Sequence, residues 1–403
     1  MNSLANRSPR NPRPGTAVEA TQGQAPWAGA LTAVLQPTAE ASGLPNVAYT
    51  DDAFLGVERD RIFGSNWACV GFACDLPAPG DVRPFDLLGM PLLALRDDRG
   101  EIRVFHNVCS HRGMRLVAEP CRVQGALRCP YHSWAYGLDG RLRATPHIGG
   151  PGRNRAEGFD PAAHGLKPVR TALWLDMIFV NLSGDAPPFE DHVAPLVERW
   201  GLYDLERLRP GGADSSLDIE VKSNWKLAVE NYCESYHLPW VHPGLNSYSR
   251  LEDHYHIIED GFAGQGSRVY APASAEGSPL PRFAGVPADL SRNAEYVALF
   301  PNLLLGVHID HFFALWLEPL GPERTVEHLR LYFLEDGATD EACATARAAT
   351  LEAWRTVFLE DVGVVEGMQL GRASPAFNGG CFSPVMDTPT HQFHRWVASR
   401  LLD

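Results

Sequence analysis

Short apolar runs separated by turn residues dominate the chain from about residue 67 to about residue 142. Pro-Gly, Asp-Asp-Arg-Gly and Asp-Gly turns divide these runs. This pattern predicts a small all-β domain, with strands at Trp67–Phe72, Pro91–Leu95 and Ile102–His106. In front of it, apolar positions at helical spacing follow Asp51, a residue suited to an N-cap, and they predict a helix from Asp51 to Phe63.

The pattern changes after residue 170, where strand-like runs are interrupted by longer helical periodicities. It predicts strands at Ala172–Asn181, Ser216–Val221, Glu295–Leu305, His311–Leu317 and Thr325–Leu334, and helices at Phe189–Trp200, at about Asp340–Leu370 and at about Thr388–Leu401. Mixed strands with a long C-terminal helix favour an α+β domain. We therefore expect a disordered leader (1–43), a small all-β domain with its N-terminal helix (44–170) and a second, α+β domain (171–403).

Composition and charge narrow the possible functions. The chain has 403 residues, 45% of them hydrophobic and 21% charged, and a net charge of −14. The acidity argues against nucleic acid as a partner, because a phosphate backbone is met with basic patches. No apolar run approaches the roughly 18 residues of a membrane span, and the start of the chain lacks a signal-peptide pattern. Eight cysteines show no disulfide framework, so we expect a cytoplasmic protein.

Two cysteine–histidine pairs are the densest group of metal-binding residue types in the first domain. One residue separates Cys109 from His111, and two residues separate Cys129 from His132. Two thiolates and two imidazoles on two loops can bind a tetrahedral zinc ion. They can also hold a [2Fe–2S] cluster in which the two histidines ligate one iron, the Rieske arrangement.

The residues around these pairs favour the cluster. An Arg-Gly pair follows His111, and a proline follows Cys129, with Ser-Trp after His132. These segments resemble the Rieske signature closely. Rieske proteins of the cytochrome bc type carry an extra disulfide-bonded cysteine beside each pair, and those positions here are Met114 and Tyr131. The resemblance therefore implies the disulfide-free cluster of oxygenase systems.

A second group of ligand-type residues follows in the segment 224–242. His237 and His242 are five residues apart with Pro239 between them. A regular helix would point the two rings in different directions, and we expect the proline to break it so that both rings turn to one point. Two histidines and one carboxylate form the facial triad of non-haem iron oxygenases.

The Asn-Trp-Lys start and the acid-x-x-His-x4-His end of this segment resemble the catalytic helix of Rieske non-haem iron oxygenase α-subunits, the ring-hydroxylating oxygenases and their relatives. The resemblance implies a Rieske domain, a helix-grip catalytic domain with an antiparallel sheet and a long C-terminal helix, a [2Fe–2S] cluster and a mononuclear Fe(II). It also implies an assembly of three identical subunits and a separate NAD(P)H-dependent reductase.

The same resemblance assigns roles to further acidic residues. It places the third iron ligand at Asp361, with Glu360 and Glu366 as alternatives. Glu234 takes the position of an acid that connects a cluster histidine to an iron histidine of the next subunit. The implied electron path runs from His132 to the partner subunit's Glu234 and on to its iron-ligating histidine. Asn231, one helical turn earlier, is expected near the iron.

Glu234 also bears on the substrate, because most ring-hydroxylating members have aspartate there. The longer acid resembles the branch that oxidises choline, carnitine and betaines. We therefore expect a terminal oxygenase that hydroxylates a quaternary ammonium compound, with N-demethylation or C–N cleavage as possible outcomes. An aromatic compound or carboxylate as substrate is one alternative, and an electron carrier without oxygenase activity is another. Aromatic residues that could provide cation–π contact are present at Trp240, Tyr248, Phe312, Phe313 and Trp316.

Overall fold

The computed structural model describes residues 27–272 and 278–402, which form three antiparallel sheets with helices around them. The helices are α1 Ala28–Val34, α2 Val47–Thr50, α3 Asp52–Glu58, α4 Phe189–Arg199, α5 Trp225–Cys233, α6 Leu238–Val241, α7 Pro243–Asn246, α8 Ala344–Gly371 and α9 Thr388–Leu402. The strands are β1 Ala68–Phe72, β2 Asp81–Leu87, β3 Met90–Arg96, β4 Ile102–His106, β5 Cys121–Arg122, β6 Ala126–Arg128, β7 Ala135–Gly137, β8 Leu142–Ala144, β9 Pro168–Trp174, β10 Met177–Asn181, β11 Leu208–Pro210, β12 Ser216–Val221, β13 His254–Ile258, β14 Phe262–Ser267, β15 Ala294–Leu299, β16 Leu303–Val307, β17 His311–Gly321 and β18 Arg324–Leu334. The predicted α+β class is confirmed.

The first domain combines a seven-stranded sheet, in the order β1-β10-β9-β4-β3-β2-β5, with the small sheet β6-β7-β8. The predicted single strand at 172–181 is wrong, because β9 and β10 form a hairpin in which Leu175 has a φ of 54°. Asp176 fixes this turn against the end of β1, where its carboxylate accepts a hydrogen bond from the amide of Cys74 at 2.9 Å. Both strands pair within the first sheet, so the expected boundary at residue 170 falls inside β9. We place it after β10.

The second domain is a sheet in the order β11-β18-β17-β16-β15-β14-β13, with β12 also paired to β18. The predicted strand at 295–305 is wrong, since β15 and β16 form a hairpin around Pro301. Proline has no amide hydrogen to give to a strand partner, so the ladder stops there. The long helix α8 buries Trp354, Phe358 and Val365 in the main core, which agrees with the expected helix-grip arrangement.

The N-terminal helices pack against the second domain. Helix α1 lies within the expected disordered leader, so that prediction is wrong for its later part, while residues 1–26 lie outside the described residues. Leu31 and Val34 are fully buried, and the Val34 carbonyl lies 2.8 Å from Nε2 of His391 on α9. The predicted cap of α3 is confirmed, because Asp51 accepts a hydrogen bond from the amide of Phe54 at 2.8 Å.

A buried ion pair joins this N-terminal region to the helix that precedes the candidate iron site. The Lys226 ammonium lies 2.6 Å from the Glu58 carboxylate, and both side chains are 0% exposed. Replacing Lys226 with methionine leaves the carboxylate buried without its counter-charge. We expect the free energy of unfolding, measured by urea denaturation, to fall by about 3–5 kcal/mol.

The double variant Glu58→Met/Lys226→Met is the control, because it removes both charges together. It is expected to be more stable than Lys226→Met alone, since no unpaired charge remains. If the single and double variants lost equal stability, the pair would act through packing and the electrostatic account would be wrong.

Candidate metal centres

Two loops of the first domain repeat one backbone arrangement around a cysteine. The amides of Cys109 and Cys129 each donate to the carbonyl five residues later at 2.8 Å, and their carbonyls each accept from the amide four residues later at 3.0 Å. That fourth residue is Gly113 in one loop and Ser133 in the other, and their φ values of 73° and 56° are both left-handed. The two predicted turns therefore share one backbone arrangement, in which the histidine follows the cysteine by two residues in the first loop and by three in the second.

The donor atoms of these loops differ in burial. Cys109 and Cys129 are 2% exposed, whereas His111 and His132 are exposed, with ring centroids 4.7 Å apart. Thiolates inside and imidazoles at the surface fit a Rieske cluster, in which one iron takes both sulfurs and the other takes both histidines. All eight cysteines are free, as expected for the disulfide-free type.

Two aromatic residues support the loops: Tyr136, which the sequence analysis did not single out, and Trp134 from the Ser-Trp pair after His132. The Tyr136 hydroxyl lies 3.1 Å from Sγ of Cys109, and burial raises the pKa of Tyr136 to about 12. Tyr136 therefore keeps its proton and can donate it to a thiolate. The Trp134 ring stacks on the His111 ring, with the centroids 4.6 Å apart and the planes at 10° to each other. This stacking restricts the orientation of the imidazole.

The second domain brings His237, His242 and Asp361 together. One ligand atom from each side chain lies within 4.8 Å of the others. Oδ1 of Asp361 is 3.0 Å from Nε2 of His242 and 3.8 Å from Nε2 of His237. Asp361 reaches this point from α8, more than a hundred residues later in the chain.

The expected role of Pro239 is wrong in detail. Helix α5 already ends at Cys233, and Glu234 is extended, with φ −122° and ψ 164°. Pro239 instead lies in the first turn of the separate short helix α6, where a missing amide hydrogen costs nothing. His237 and His242 flank this helix, and their ring centroids are 5.1 Å apart.

Two buried atoms of this group show that a metal ion fits there. Nε2 of His242 and Oδ1 of Asp361 have no hydrogen-bond partner among the described residues, although both atoms are buried. Buried polar atoms without partners are costly. Lone pairs of one carboxylate and two imidazoles that converge on one point match a 2-His-1-carboxylate site for Fe(II).

A carboxylate stands behind each histidine. Oε1 of Glu234 lies 2.6 Å from Nδ1 of His237, and Oε2 of Glu360 lies 2.7 Å from Nδ1 of His242. Each carboxylate accepts a hydrogen bond from the Nδ1–H group of its histidine and so leaves the Nε2 lone pair free for a metal. Glu360 thus faces the back of a histidine, while Glu366 accepts from the amide of Lys222 at 3.0 Å, away from the triad.

A cavity beside the triad is lined mainly by aromatic and aliphatic side chains. Its walls are Tyr232, Tyr296, Trp354, Phe358, Leu238, Leu245 and Val357, with Asn231, His254 and Gln265 as further polar members. The expected place of Asn231 near the triad agrees with this lining. Among the described residues, no lysine or arginine lines the cavity.

The aromatic residues named from the sequence are not the ones in these walls. Trp240 is 70% exposed, and Phe312 and Trp316 belong to a separate core cluster. Phe313 packs behind Trp354, with the two ring centroids 4.6 Å apart. Trp354, Phe358 and Asp361 are spaced so that they lie on one face of the predicted long helix. From this spacing Trp354 and Phe358 could have been predicted as wall residues.

No helix among the described residues is both long enough and apolar enough to span a membrane.

Two family models match the chain. The model for the catalytic domain of the ring-hydroxylating α-subunit matches residues 205–403, and the model for the Rieske [2Fe–2S] domain matches residues 66–154. Together they cover more than two thirds of the chain, and each contains one of the two candidate metal centres.

Similar proteins include oxygenase subunits from bacteria and plants. The glycine betaine monooxygenase oxygenase subunit of Chromohalobacter salexigens is 28% identical, with 89% of this chain and 86% of the relative covered. The chloroplastic choline monooxygenase of Arabidopsis thaliana is 29% identical, with 89% and 82% covered. The carnitine monooxygenase oxygenase subunit of Acinetobacter pittii is 26% identical, with 83% and 86% covered.

Solved structures show the same fold. The quaternary ammonium Rieske monooxygenase CntA in complex with L-carnitine has a TM-score of 0.74 at 23% identity, with 92% of this chain and 98% of the other covered. Naphthalene 1,2-dioxygenase with bound indole has a TM-score of 0.69 at 18% identity, with 92% and 94% covered.

Proposed function

Because the chain belongs to the Rieske non-haem iron oxygenase α-subunits, which hold a Rieske [2Fe–2S] cluster and a mononuclear iron, we propose that it is the terminal oxygenase component that hydroxylates a quaternary ammonium compound. Oxidoreductase activity follows from the family, so the alternative of a pure electron carrier is wrong. The substrate class is the new element of the proposal.

The lining of the cavity beside the triad carries the choice of substrate. Tyr232, Tyr296, Trp354 and Phe358 line the cavity with aromatic rings, and among the described residues its lining contains the carboxylate of Asp361 but no lysine or arginine. A trimethylammonium group cannot donate a hydrogen bond, and aromatic faces attract it through cation–π contact. The glycine betaine, choline and carnitine monooxygenases among the relatives support the same class.

The residues that would hold the metals follow from the geometry described above. Cys109, Cys129, His111 and His132 would hold the cluster, and His237, His242 and Asp361 would hold the iron. When bound, these groups supply one-electron transfer and O₂ activation. The protein excludes water with its apolar cavity walls and orients the substrate cation in front of the triad.

Electron transfer between copies of the chain is part of the proposal. Glu234 already bonds His237, but among the described residues of one chain no hydrogen bond joins it to His132. His132 is exposed at the tip of its loop, beside Tyr131, which is 55% exposed. Tyr236 and Trp240 are exposed and close to Glu234 in the chain, and their ring centroids are 5.8 Å apart. We expect the tip of one subunit to dock there on the next, in a ring of three.

Two different exposed aromatic surfaces of this kind fit a head-to-tail contact between copies, because aromatic residues are enriched at protein interfaces. In a head-to-tail ring the loop of Tyr131 and His132 on each subunit meets the surface of Tyr236 and Trp240 on the next subunit. His132 would then approach the carboxylate of the partner subunit's Glu234. The cluster would be recharged by a separate NAD(P)H-dependent reductase.

Glu360 gives a prediction about iron affinity. Replacing it with alanine removes the acceptor that orients His242, so we expect the affinity for the mononuclear iron to fall by about 10–100-fold. Glu360→Gln retains an acceptor oxygen and should recover part of this loss. Iron titration of metal-depleted protein measures the affinity, and the visible absorbance of the cluster should stay unchanged.

Glu366→Ala is the matched control on the same helix, because Glu366 bonds a backbone amide away from the triad. If Glu360→Ala bound iron as tightly as Glu366→Ala, the orienting role of Glu360 would be wrong.

The proposed function is tested by O₂ uptake of the metal-loaded protein with NADH and a surrogate reductase. We expect uptake to depend on a quaternary ammonium compound in a screen of choline, carnitine, glycine betaine and proline betaine, with benzoates in parallel. Uptake with benzoates alone would contradict the proposed substrate class and favour an aromatic carboxylate.

A further inference from the structure

The backbone at Glu234 is held by a side chain from the second-domain sheet. Helix α5 ends at Cys233 and Glu234 is extended, so the Glu234 carbonyl lies outside the helical hydrogen-bond pattern. This carbonyl accepts a hydrogen bond from Nε2 of Gln265 on β14 at 3.0 Å. Among residues 27–272 and 278–402, no backbone amide donates to it. Gln265 therefore ties the start of the turn at Glu234 to the sheet.

The side chain of Glu234 folds back over the same turn. Its carboxylate accepts from the amides of Tyr236 and His237 and from Nδ1 of His237. The carbonyl and the carboxylate belong to one residue. A shift of the Glu234 backbone would therefore also move the carboxylate that connects to the neighbouring subunit in the proposed electron path.

Gln265 is itself fixed in one orientation by a histidine. Its Oε1 lies 2.5 Å from Nδ1 of His254 on β13. The Glu234 carbonyl can only accept a hydrogen bond, so the amide nitrogen of Gln265 faces this carbonyl and the amide oxygen faces the imidazole. Burial lowers the pKa of His254, so the ring is neutral at pH 7 and its one proton lies on Nδ1.

Two serines complete the chain of hydrogen bonds. Nε2 of His254 lies 3.1 Å from Oγ of Ser249 and accepts its hydroxyl hydrogen. Oγ of Ser249 lies 3.0 Å from Oγ of Ser267, and both serines are 0% exposed. Gln265 is 6% exposed. Turning its amide over would leave buried polar groups unpaired, so this orientation is strongly favoured.

The polar ends of Gln265 and His254 are thus used within the protein, although both residues line the cavity beside the triad. We propose that Gln265 is a positioning residue for electron transfer between subunits. Held by His254, it fixes the backbone of Glu234 so that its carboxylate stands where His132 of the partner subunit arrives. This inference rests on the proposed function and deepens its account of electron transfer.

Single-turnover kinetics test the inference. Metal-loaded protein with its cluster reduced beforehand is mixed with O₂ and with the compound that gives the highest O₂ uptake in the screen above. The visible absorbance then follows reoxidation of the cluster. Gln265→Met is similar in length but lacks the donor, so we expect reoxidation to slow by about tenfold.

A pair of variants at His254 gives an independent form of this test. His254→Leu should also slow reoxidation, because it frees the amide of Gln265. The side-chain amide nitrogen of asparagine can replace Nδ1 as the donor. His254→Asn should therefore recover most of the rate that is lost in His254→Leu.

Hydrogen exchange of the metal-free protein is a readout without turnover. The Glu234 carboxylate protects the amides of Tyr236 and His237, so the peptide 234–238 should exchange faster in Gln265→Met than in the wild type. Gln392→Met is the matched control. Nε2 of Gln392 also donates to a glutamate carbonyl, that of Glu259 at 3.0 Å in the exposed turn after β13. This control should match the wild type in both measurements.

The outcomes separate the inference from the function. Reoxidation at the wild-type rate in Gln265→Met would overturn the inference, as would slow reoxidation without faster exchange at 234–238. If Gln265→Met failed to fold, equal rates in His254→Leu and His254→Asn would overturn it. In these cases slow reoxidation in Glu234→Ala would leave the proposed electron path standing. Reoxidation at the wild-type rate in Glu234→Ala would contradict that path and the inference together.

Discussion

Replacing Glu234 with alanine is expected to lower turnover by about 100-fold even when both metal centres are kept loaded at saturating iron. The Glu234 carboxylate accepts from Nδ1 of His237 at 2.6 Å and from the amide of the same residue at 3.2 Å. It is therefore fixed at the point where a neighbouring cluster histidine would arrive. Alanine removes this connection and also the acceptor that orients His237, so the iron is supplied at saturating concentration to keep His237 and the other two ligands occupied.

The measurement combines turnover with metal analysis. About three irons per chain, two in the cluster and one mononuclear, should remain in Glu234→Ala. A cluster reduced beforehand should stay reduced when substrate and O₂ are added. Glu198→Ala, which removes an exposed acid on α4, is the control and should behave as wild type. Unchanged turnover in Glu234→Ala would contradict the proposed electron path.

Replacing Asp361 with alanine is expected to remove the mononuclear iron and abolish turnover. Oδ1 of Asp361 lies 3.0 Å from Nε2 of His242 and lacks a hydrogen-bond partner among the described residues. Without that carboxylate only two neutral imidazoles remain, which hold Fe(II) weakly. The iron content should fall to about two per chain, with the cluster absorbance unchanged.

Glu360→Ala provides the comparison, because Glu360 is the adjacent residue and points at the other side of His242. Its iron affinity should fall, but iron should still bind at saturating concentration. If Glu360→Ala lost the third iron and Asp361→Ala retained it, the two residues would have exchanged roles and the assignment of Asp361 would be wrong.

The cluster loops could be predicted from sequence because their geometry is local. Cys109 and His111, like Cys129 and His132, belong to one tight turn each, so the spacing of residues determines how they are presented. Strands β1, β3 and β4 followed from short apolar runs for the same reason. Asp361 needed a family resemblance, because contact between α8 and the loop of His242 is long-range and leaves no local pattern.

Other features depend on packing that no local pattern encodes. The hairpins at Leu175 and Pro301 interrupt continuous apolar runs, which a periodicity of two cannot distinguish from one long strand. Helix α1 is too short to be stable alone, and it is stabilised by packing on α9 with Leu31 and Val34 buried. Tyr296 and Trp354 look like ordinary core residues in the sequence, and only the fold places them in the cavity walls.

Mixed oligomers of two inactive variants test the central claim that electrons pass from the cluster of one subunit to the iron of the next. Cys109→Ala would lack the cluster, Asp361→Ala would lack the iron, and each alone should be inactive. Co-expressed in equal amounts, they should regain about one quarter of wild-type turnover, because in a ring half of the intact irons would face an intact cluster. Activity in the mixed oligomers confirms transfer between subunits. No activity, with each variant retaining its other metal centre, would contradict it.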